Sequence, residues 1–296
     1  MPSCSGLINL HKPGGISSRQ AVDVVKRLVR PAKAGHAGTL DPLASGVLVV
    51  CVGAATRLIE YVQQMPKRYT GTFLLGRSSP TDDIEGEVTT LPDPPRPMLG
   101  ELKQAAAALT GEILQRPPAY SALKVEGRRA YDLARMGQPL ELAPRPVSVY
   151  RMEVARYEYP ELVLEIECGS GTYVRALGRD LAAALGTEAV MSALVRTAIG
   201  DFKLEDACRP EQLSRENLRQ WLLPAFRAVA RLPLVSLTAA EATQLRHGIS
   251  IGRSVDWAAG ELAAIGPEGE LVAIVEAQSD GGLRPTRVLA VDEASH

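Results

Sequence analysis

Hydrophobic positions along the chain switch repeatedly between the period of a strand and that of a helix. Gly6 to Leu10 forms a short apolar strand, closed by a turn at Lys12-Pro13-Gly14-Gly15. Ala21, Val22, Val25, Leu28 and Val29 then share one face at helical spacing, which predicts a helix through about Arg30, capped by Ser17 or Ser18. Val47 to Val52 is apolar without interruption between Gly46 and Gly53, the pattern of a strand covered on both faces. A helix over Ala54–Gln64 is expected next, then a strand in which Tyr69, Gly71, Phe73 and Leu75 alternate with polar or small neighbours. Pro92, Pro94, Pro95 and Pro97 mark an exposed loop, and an alanine-rich helix follows from about Met98 to Leu109.

Further on, Leu162, Leu164, Ile166 and Cys168 alternate with Glu165 and Glu167, a strand with one wet face. It runs into Gly169-Ser170-Gly171-Thr172 and a helix that ends at Gly186, a residue suited to the left-handed position after a helix. A last helix is read over Glu216–Arg231, followed by Leu232-Pro233 and strand-like segments at Glu261–Ile265 and Glu270–Glu276. Strands and helices mix without a regular βαβ repeat, so the class is α+β. The boundary falls at 231/232, with a large domain over 1–231 and a small β-rich one over 232–296.

Overall charge does not single out a partner, because the formal net charge is only −1. Local balance does. Lys12 to Lys33 holds six Lys/Arg against Asp23, or +5, and 124–151 holds six against three acids, or +3. Residues 232–292 carry eight acids and four Lys/Arg, or −4. The four cysteines are scattered and form no CxxC pair, and the four histidines are equally dispersed, so no metal is expected. The apolar stretch near the N-terminus is too brief for a signal-peptide core, and no run of roughly 18 apolar residues occurs, which points to the cytoplasm.

The most unusual stretch is Gly35 to Gly46, GHAGTLDPLASG. Its glycines allow backbone freedom, while Pro42 disfavours helix at Asp41 and fixes a carboxylate on a loop that enters a buried strand. Such a loop can present a reactive group, although a structural turn with a polar residue fits the same pattern.

Gly38-Thr39-Leu40-Asp41-Pro42-Leu43-Ala44-Ser45-Gly46-Val47-Leu48 resembles the catalytic motif of the TruB family of pseudouridine synthases. Asn9 to Ser18 is similar to the family's N-terminal motif, with His11 departing from its commoner form. Lys67-Arg68-Tyr69 with Leu75-Gly76 resembles the strand of its active-site tyrosine, and Ser79 to Gly86 its Thr-x-Thr-x-Asp-x-x-Gly element. Pro117 to Val125, Gly127 to Tyr131 and Gly169 to Arg175 continue the likeness in the family's order.

The resemblance implies a catalytic domain built on a mixed, largely antiparallel sheet flanked by helices, and a small PUA-like RNA-binding domain after it. It implies isomerisation of uridine 55 in the T-loop of tRNA, by base flipping, without metal or organic cofactor. Asp41 would be the catalytic carboxylate, attacking C1′ or taking the 2′ proton. Arg175, brought in by a strand, would keep it ionised, and Tyr69 would stack on the base and help remove the C5 proton. His36 would hold the opened T-loop, with Lys12, Asp83, Lys124, Arg128, Arg129 and Leu194 as further substrate-binding residues. A monomer acting without guide RNA is expected, with a secondary docking role for the acidic C-terminal part and a possible accessory role in tRNA folding. A tRNA chaperone without turnover is one competing reading. An aspartyl-nucleophile phosphatase is another, but it needs a second acid near Asp41 and a magnesium site, and the next acid along the chain is Glu60.

Overall fold

In the computed structural model, residues 5–118, 120, 124–125, 128–129, 142–253, 260–279 and 281–289 are described. The chain opens with β1 (Gly6–Lys12), α1 (Ser18–Val29), β2 (Ala34–His36) and β3 (Ser45–Val52). A 3-10 turn (Gly53–Leu58) leads into α2 (Ile59–Gln64) and β4 (Lys67–Leu75). Short strands β5 (Arg77–Ser78) and β6 (Thr89–Thr90) precede α3 (Leu99–Ala108), β7 (Gly111–Gln115) and a hairpin of β8 (Lys124–Val125) and β9 (Arg128–Arg129). Then come β10 (Arg145–Glu158), β11 (Glu161–Cys168), α4 (Val174–Ala184), β12 (Ala189–Ile199) and β13 (Phe202–Lys203). The C-terminal part holds α5 (Leu218–Trp221), β14 (Leu234–Ser236), α6 (Ala239–Arg246), β15 (Glu261–Ile265), β16 (Leu271–Ala277) and β17 (Leu283–Val288). Among the described residues no helix is long and apolar enough to cross a membrane.

One mixed sheet in the order β1-β3-β12-β4-β11-β10-β7 carries most of the chain, with β2 added to β3 and β13 to β12. Within it β3 and β12 run parallel, and the other pairs are antiparallel. The apolar run in β3 is covered on both faces. Leu48 and Val50 meet Ala21, Val22 and Val25 of α1, while Val47, Val49 and Cys51 pack with Leu58 and Phe202. Across the rest of the sheet, Leu102 of α3 and Leu177 and Leu181 of α4 close over Phe73, Leu162 and Leu164. Phe73 is fully buried there, and truncating such a ring to alanine typically costs about 3–5 kcal/mol.

Helix ends follow the predicted chemistry. Ser17 caps α1, its hydroxyl accepting from the Gln20 amide at 3.2 Å while the Gln20 side chain accepts from the Ser17 amide at 2.8 Å. Gly186 takes φ +71 after α4, and the Thr187 amide donates to Ala182 O at 3.1 Å.

Two expected helices come out differently. Ala54–Gln64 divides into the 3-10 turn and α2. Glu216–Arg231 does not form one helix: α5 covers four residues, a 3-10 turn covers Ala225–Ala228, and Pro224 separates them. Proline has no amide proton and disfavours helix at the residue before it. Leu223 accordingly extends and exchanges hydrogen bonds with Leu7 at 2.8 and 2.9 Å.

The C-terminal sheet runs β14-β15-β16-β17 and begins at Leu234. Its inner residues Ala263, Leu271 and Ile274 share one cluster with Leu58 and Val62. Polar contacts reinforce that seam. Tyr61 Oη donates to Glu261 at 2.7 Å and accepts from Arg287 at 2.7 Å, and Arg287 also reaches Glu60 at 2.7 Å.

Candidate active site

Asp41 lies on the loop between β2 and β3, and four side chains or amides fix that loop from below. The Ser18 hydroxyl accepts from the Leu40 amide at 2.8 Å and donates to its carbonyl at 3.0 Å. Pro42 O accepts from the Gly15 amide at 2.8 Å and from Lys12 Nζ at 3.4 Å. Arg196 donates to Thr39 O at 3.3 Å and Gly38 O at 3.0 Å. The Asp41 carbonyl itself accepts from the Ala44 amide at 3.1 Å, a tight turn that Pro42 favours. Gly46 closes the loop with φ +107, where a Cβ would stand 2.2 Å from Arg196 O of the parallel strand. No other residue fits at that crossing.

The Asp41 side chain faces Arg175. Nε of Arg175 is 3.0 Å from Asp41 Oδ2, and Nη1 is 3.3 Å from Asp83 Oδ2. Arg175 also donates to Thr81 O at 2.6 Å and Tyr120 O at 3.2 Å. Its side chain is 6% exposed, so its position is dictated by these partners. The two carboxylates differ in access: the Asp41 side chain is 37% exposed and that of Asp83 only 3%. Asp41 alone of the pair offers an oxygen to a ligand.

Above this pair opens a cavity of about 380 Å³, within the usual range of small-ligand sites. Asp41, Tyr69, Arg175, Leu194, Lys67 and Arg196 line it. Burial raises the Tyr69 phenol, with the Arg196 charge opposing, so it stays protonated at neutral pH. It therefore offers a ring face and a neutral hydroxyl rather than a phenolate base. Asp41, Tyr69, Arg175 and Leu194 are thus brought to one cavity.

Other expectations need correction. Arg175 is delivered by the first turn of α4, not by a strand, because β11 ends at Cys168 and Gly169–Tyr173 bends the chain into the helix. Lys12 is fully buried, its ammonium donating to Pro13 O at 2.9 Å, Ile16 O at 2.6 Å and Pro42 O, so it cannot reach a phosphate. Burial also lowers its pKa to about 8. Asp83 is equally enclosed, accepting from Thr81 Oγ1 at 2.6 Å and the Glu85 amide at 3.1 Å, so it supports Arg175 rather than a ligand. The lack of a second acid, raised against a phosphatase, does not hold either, since Asp83 joins Asp41 through Arg175 and Glu85 feels both acids. What opposes that chemistry is the guanidinium between the acids. Among the described residues no group of three His, Cys, Asp or Glu could hold a metal ion.

His36 is half-buried on the edge strand β2 with its Nδ1 unpartnered, and burial, then Arg196, lowers its pKa. Lys124, Arg128 and Arg129 lie on the β8–β9 hairpin, where only the backbone is described. Three residues at the cavity or its loop, Ser18, Lys67 and Arg196, carry no site role in the sequence, although Lys67 stands in the motif that holds Tyr69. Ser18 reads there only as a helix cap. Arg196 carries a usable signal, a charge at the inward parity of Leu194 and Ala198 in an alternating strand.

Comparison with known proteins places the chain in a family. A family model described as TruB family pseudouridylate synthase (N terminal domain) matches residues 26–174. Another, described as tRNA Pseudouridine synthase II, C terminal, matches residues 232–290. A protein of Arthrobacter sp. (strain FB24) named tRNA pseudouridine synthase B is 42% identical, covering 97% of this chain and 97% of that protein. A Bradyrhizobium diazoefficiens protein of the same name is 41% identical, covering 96% of this chain and 85% of the relative. Among solved structures, a chain of a Cbf5-Nop10-Gar1 complex is 27% identical with TM-score 0.72, covering 96% of this chain and 85% of that one.

Proposed function

The chain belongs to the TruB family of pseudouridylate synthases, and on that footing we propose that it converts uridine 55 in the T-loop of tRNA to pseudouridine, with Asp41 as the catalytic carboxylate. The observation that carries this reading is the accessible Asp41 oxygen beside the buried Arg175 guanidinium, at the wall of a nucleoside-sized cavity. The reaction breaks N1–C1′ and forms C5–C1′ on the same nucleotide, so it adds no group and transfers no net electrons. Asp41 either attacks C1′ or removes the 2′ proton; both routes require its ionised form next to Arg175.

The target base must leave its stack to reach the cavity, which costs a few kcal/mol. Stacking on Tyr69 returns about 1–3 kcal/mol. The remaining affinity comes from the sugar-phosphate backbone. Exposed Arg19, Lys26 and Arg27 on α1, with Arg30 and Lys33 beyond it, form a basic surface suited to phosphate. His36 supports the opened T-loop, and the β8–β9 hairpin with Lys124, Arg128 and Arg129 adds RNA contacts. The acidic C-terminal part docks secondarily. The protein acts in the cytoplasm as a monomer, without guide RNA.

Incubation of the purified protein with a bare T-arm hairpin tests this reading. Pseudouridine at the T-loop position is expected from the protein alone. A requirement for a guide RNA or partner protein would overturn the stand-alone assignment. The Asp41→Asn protein is expected to bind the hairpin without turnover; persistent turnover would remove Asp41 from its role.

A further inference from the structure

Two buried cations line the cavity without pairing with either carboxylate of the site. Lys67 is 5% exposed and Arg196 1%. Among the described residues neither has a carboxylate within ion-pair reach. Lys67 Nζ donates to the Gln63 carbonyl, and Arg196 gives Nε, Nη1 and Nη2 to the carbonyls of Val47, Thr39 and Gly38. Both flank Tyr69. Lys67 precedes it by two residues on the same face of β4, and Arg196 pairs directly across from it on β12. A bulge between Arg196 and Ala198 breaks the register there, the kind of irregularity that re-aims a side chain. The two charges also oppose each other: after burial, Arg196 is the largest influence lowering the Lys67 pKa, to about 8.

Burying like charges side by side without an acid is strongly unfavourable; the loop carbonyls that Arg196 meets offset part of that cost, whereas an aliphatic residue at position 67 would avoid it. The arrangement makes sense if a negative charge arises in the cavity during the reaction. Isomerisation supplies one. When C1′–N1 breaks, its electron pair stays on N1, and the base departs as a uracil anion with charge spread over O2 and O4. The carbon is compensated by a carboxylate pair from Asp41, or by the C2′–H pair as its proton moves to Asp41. On return, C5 gives a pair to C1′ and Asp41 recovers its starting form. The C5 proton is replaced by one on N1, so the protein ends unchanged.

We propose that Lys67 and Arg196 are further catalytic residues that hold the detached uracil anion while it turns from its N1 to its C5 attachment. This rests on the isomerase reading. Asp41 and Arg175 act on the sugar, whereas this pair acts on the base. Neither cation gives up a proton in this sequence of steps, and the neutral Tyr69 hydroxyl beside them adds no competing negative charge.

Single-turnover cleavage of the C1′–N1 bond tests the proposal, using T-arm hairpins that carry uridine or 5-fluorouridine at the target. Fluorine withdraws charge and makes the departing base a weaker base, so less help is needed from the protein. Lys67→Met is expected to slow the uridine hairpin by about 10²–10³-fold, the usual loss for one anion-stabilising donor. The fluorinated hairpin should slow by at least tenfold less, with hairpin affinity near that of the parent. Arg196→Lys should shift in the same direction. Lys67→Gln serves if the methionine variant fails to fold, and Lys67→Arg should restore most of the rate. Equal slowing of both hairpins, or a loss confined to affinity, would overturn the proposal by assigning the cations to packing or to phosphate. Parent protein that forms no pseudouridine would instead remove the isomerase reading itself.

Discussion

The Ser18 hydroxyl sits between the amide and the carbonyl of Leu40, accepting from one at 2.8 Å and donating to the other at 3.0 Å. A side chain on the first turn of α1 therefore completes the backbone of the loop one residue before Asp41. Ser18→Ala leaves both Leu40 groups buried and unpaired, which costs about 1–3 kcal/mol each at most. The expected outcome is a lower thermal midpoint and a reduced kcat, with hairpin affinity retained. Thermal denaturation and steady-state turnover on the T-arm hairpin read both.

Asp83 and Asp41 share Arg175 but have different tasks. Asp83→Asn removes a buried partner charge, so Arg175 is left with Asp41 as its one carboxylate. Breaking a buried pair in this way costs about 3–5 kcal/mol. Asp83→Asn should therefore lose both stability and turnover, whereas Asp41→Asn should lose turnover with little loss of stability. Parallel melting curves and rates for the two variants distinguish them; equal destabilisation would contradict the exposure difference.

Lys12 and the α1 cations are indistinguishable as charges in the sequence, and salt dependence separates them. Neutralising Lys26 and Arg30 together should weaken tRNA binding. The plot of log Kd against log salt should flatten by up to about 0.7–0.9 for each phosphate no longer neutralised. Lys12→Met should leave that slope unchanged, because its ammonium faces carbonyls of the loop.

Burial sets the sign of a pH effect at Lys67. Its folded pKa of about 8 lies below the ordinary lysine value of 10.5, so between these values the unfolded chain binds more protons. Stability arising from this group therefore rises with pH across that window. The parent should gain on Lys67→Met by up to about 3 kcal/mol between pH 8 and 10.5. Paired denaturation curves at stepped pH measure the difference, and a constant gap would show that burial does not penalise the ammonium.

Periodicity makes the scaffold legible, while the site depends on proximity that no local pattern records. The run at Val47–Val52 announces a doubly covered strand because its composition allows no wet face, and α1 announces its buried side by its spacing. Over Glu216–Arg231 the apolar spacing suggests one helix, but the amide missing at Pro224 decides the outcome in the fold. The Asp41 loop stands out through its own glycines and proline. What surrounds it does not, because Ser18, Arg175 and Arg196 arrive from α1, α4 and β12, and the sequence does not show which carbonyl a distant side chain will meet. The family resemblance supplies Arg175; it places Lys12 and Asp83 toward the RNA, although their burial makes them supports of the loop and of Arg175.

Helix α2 touches two places at once. At one end Glu60 and Tyr61 grip Arg287 of the C-terminal sheet, and at the other the Gln63 carbonyl receives Lys67 at the cavity wall. One six-residue helix therefore sets both the seam at Arg287 and the cavity wall at Lys67, so the footing of the C-terminal sheet and the wall beside Tyr69 share a single rigid support.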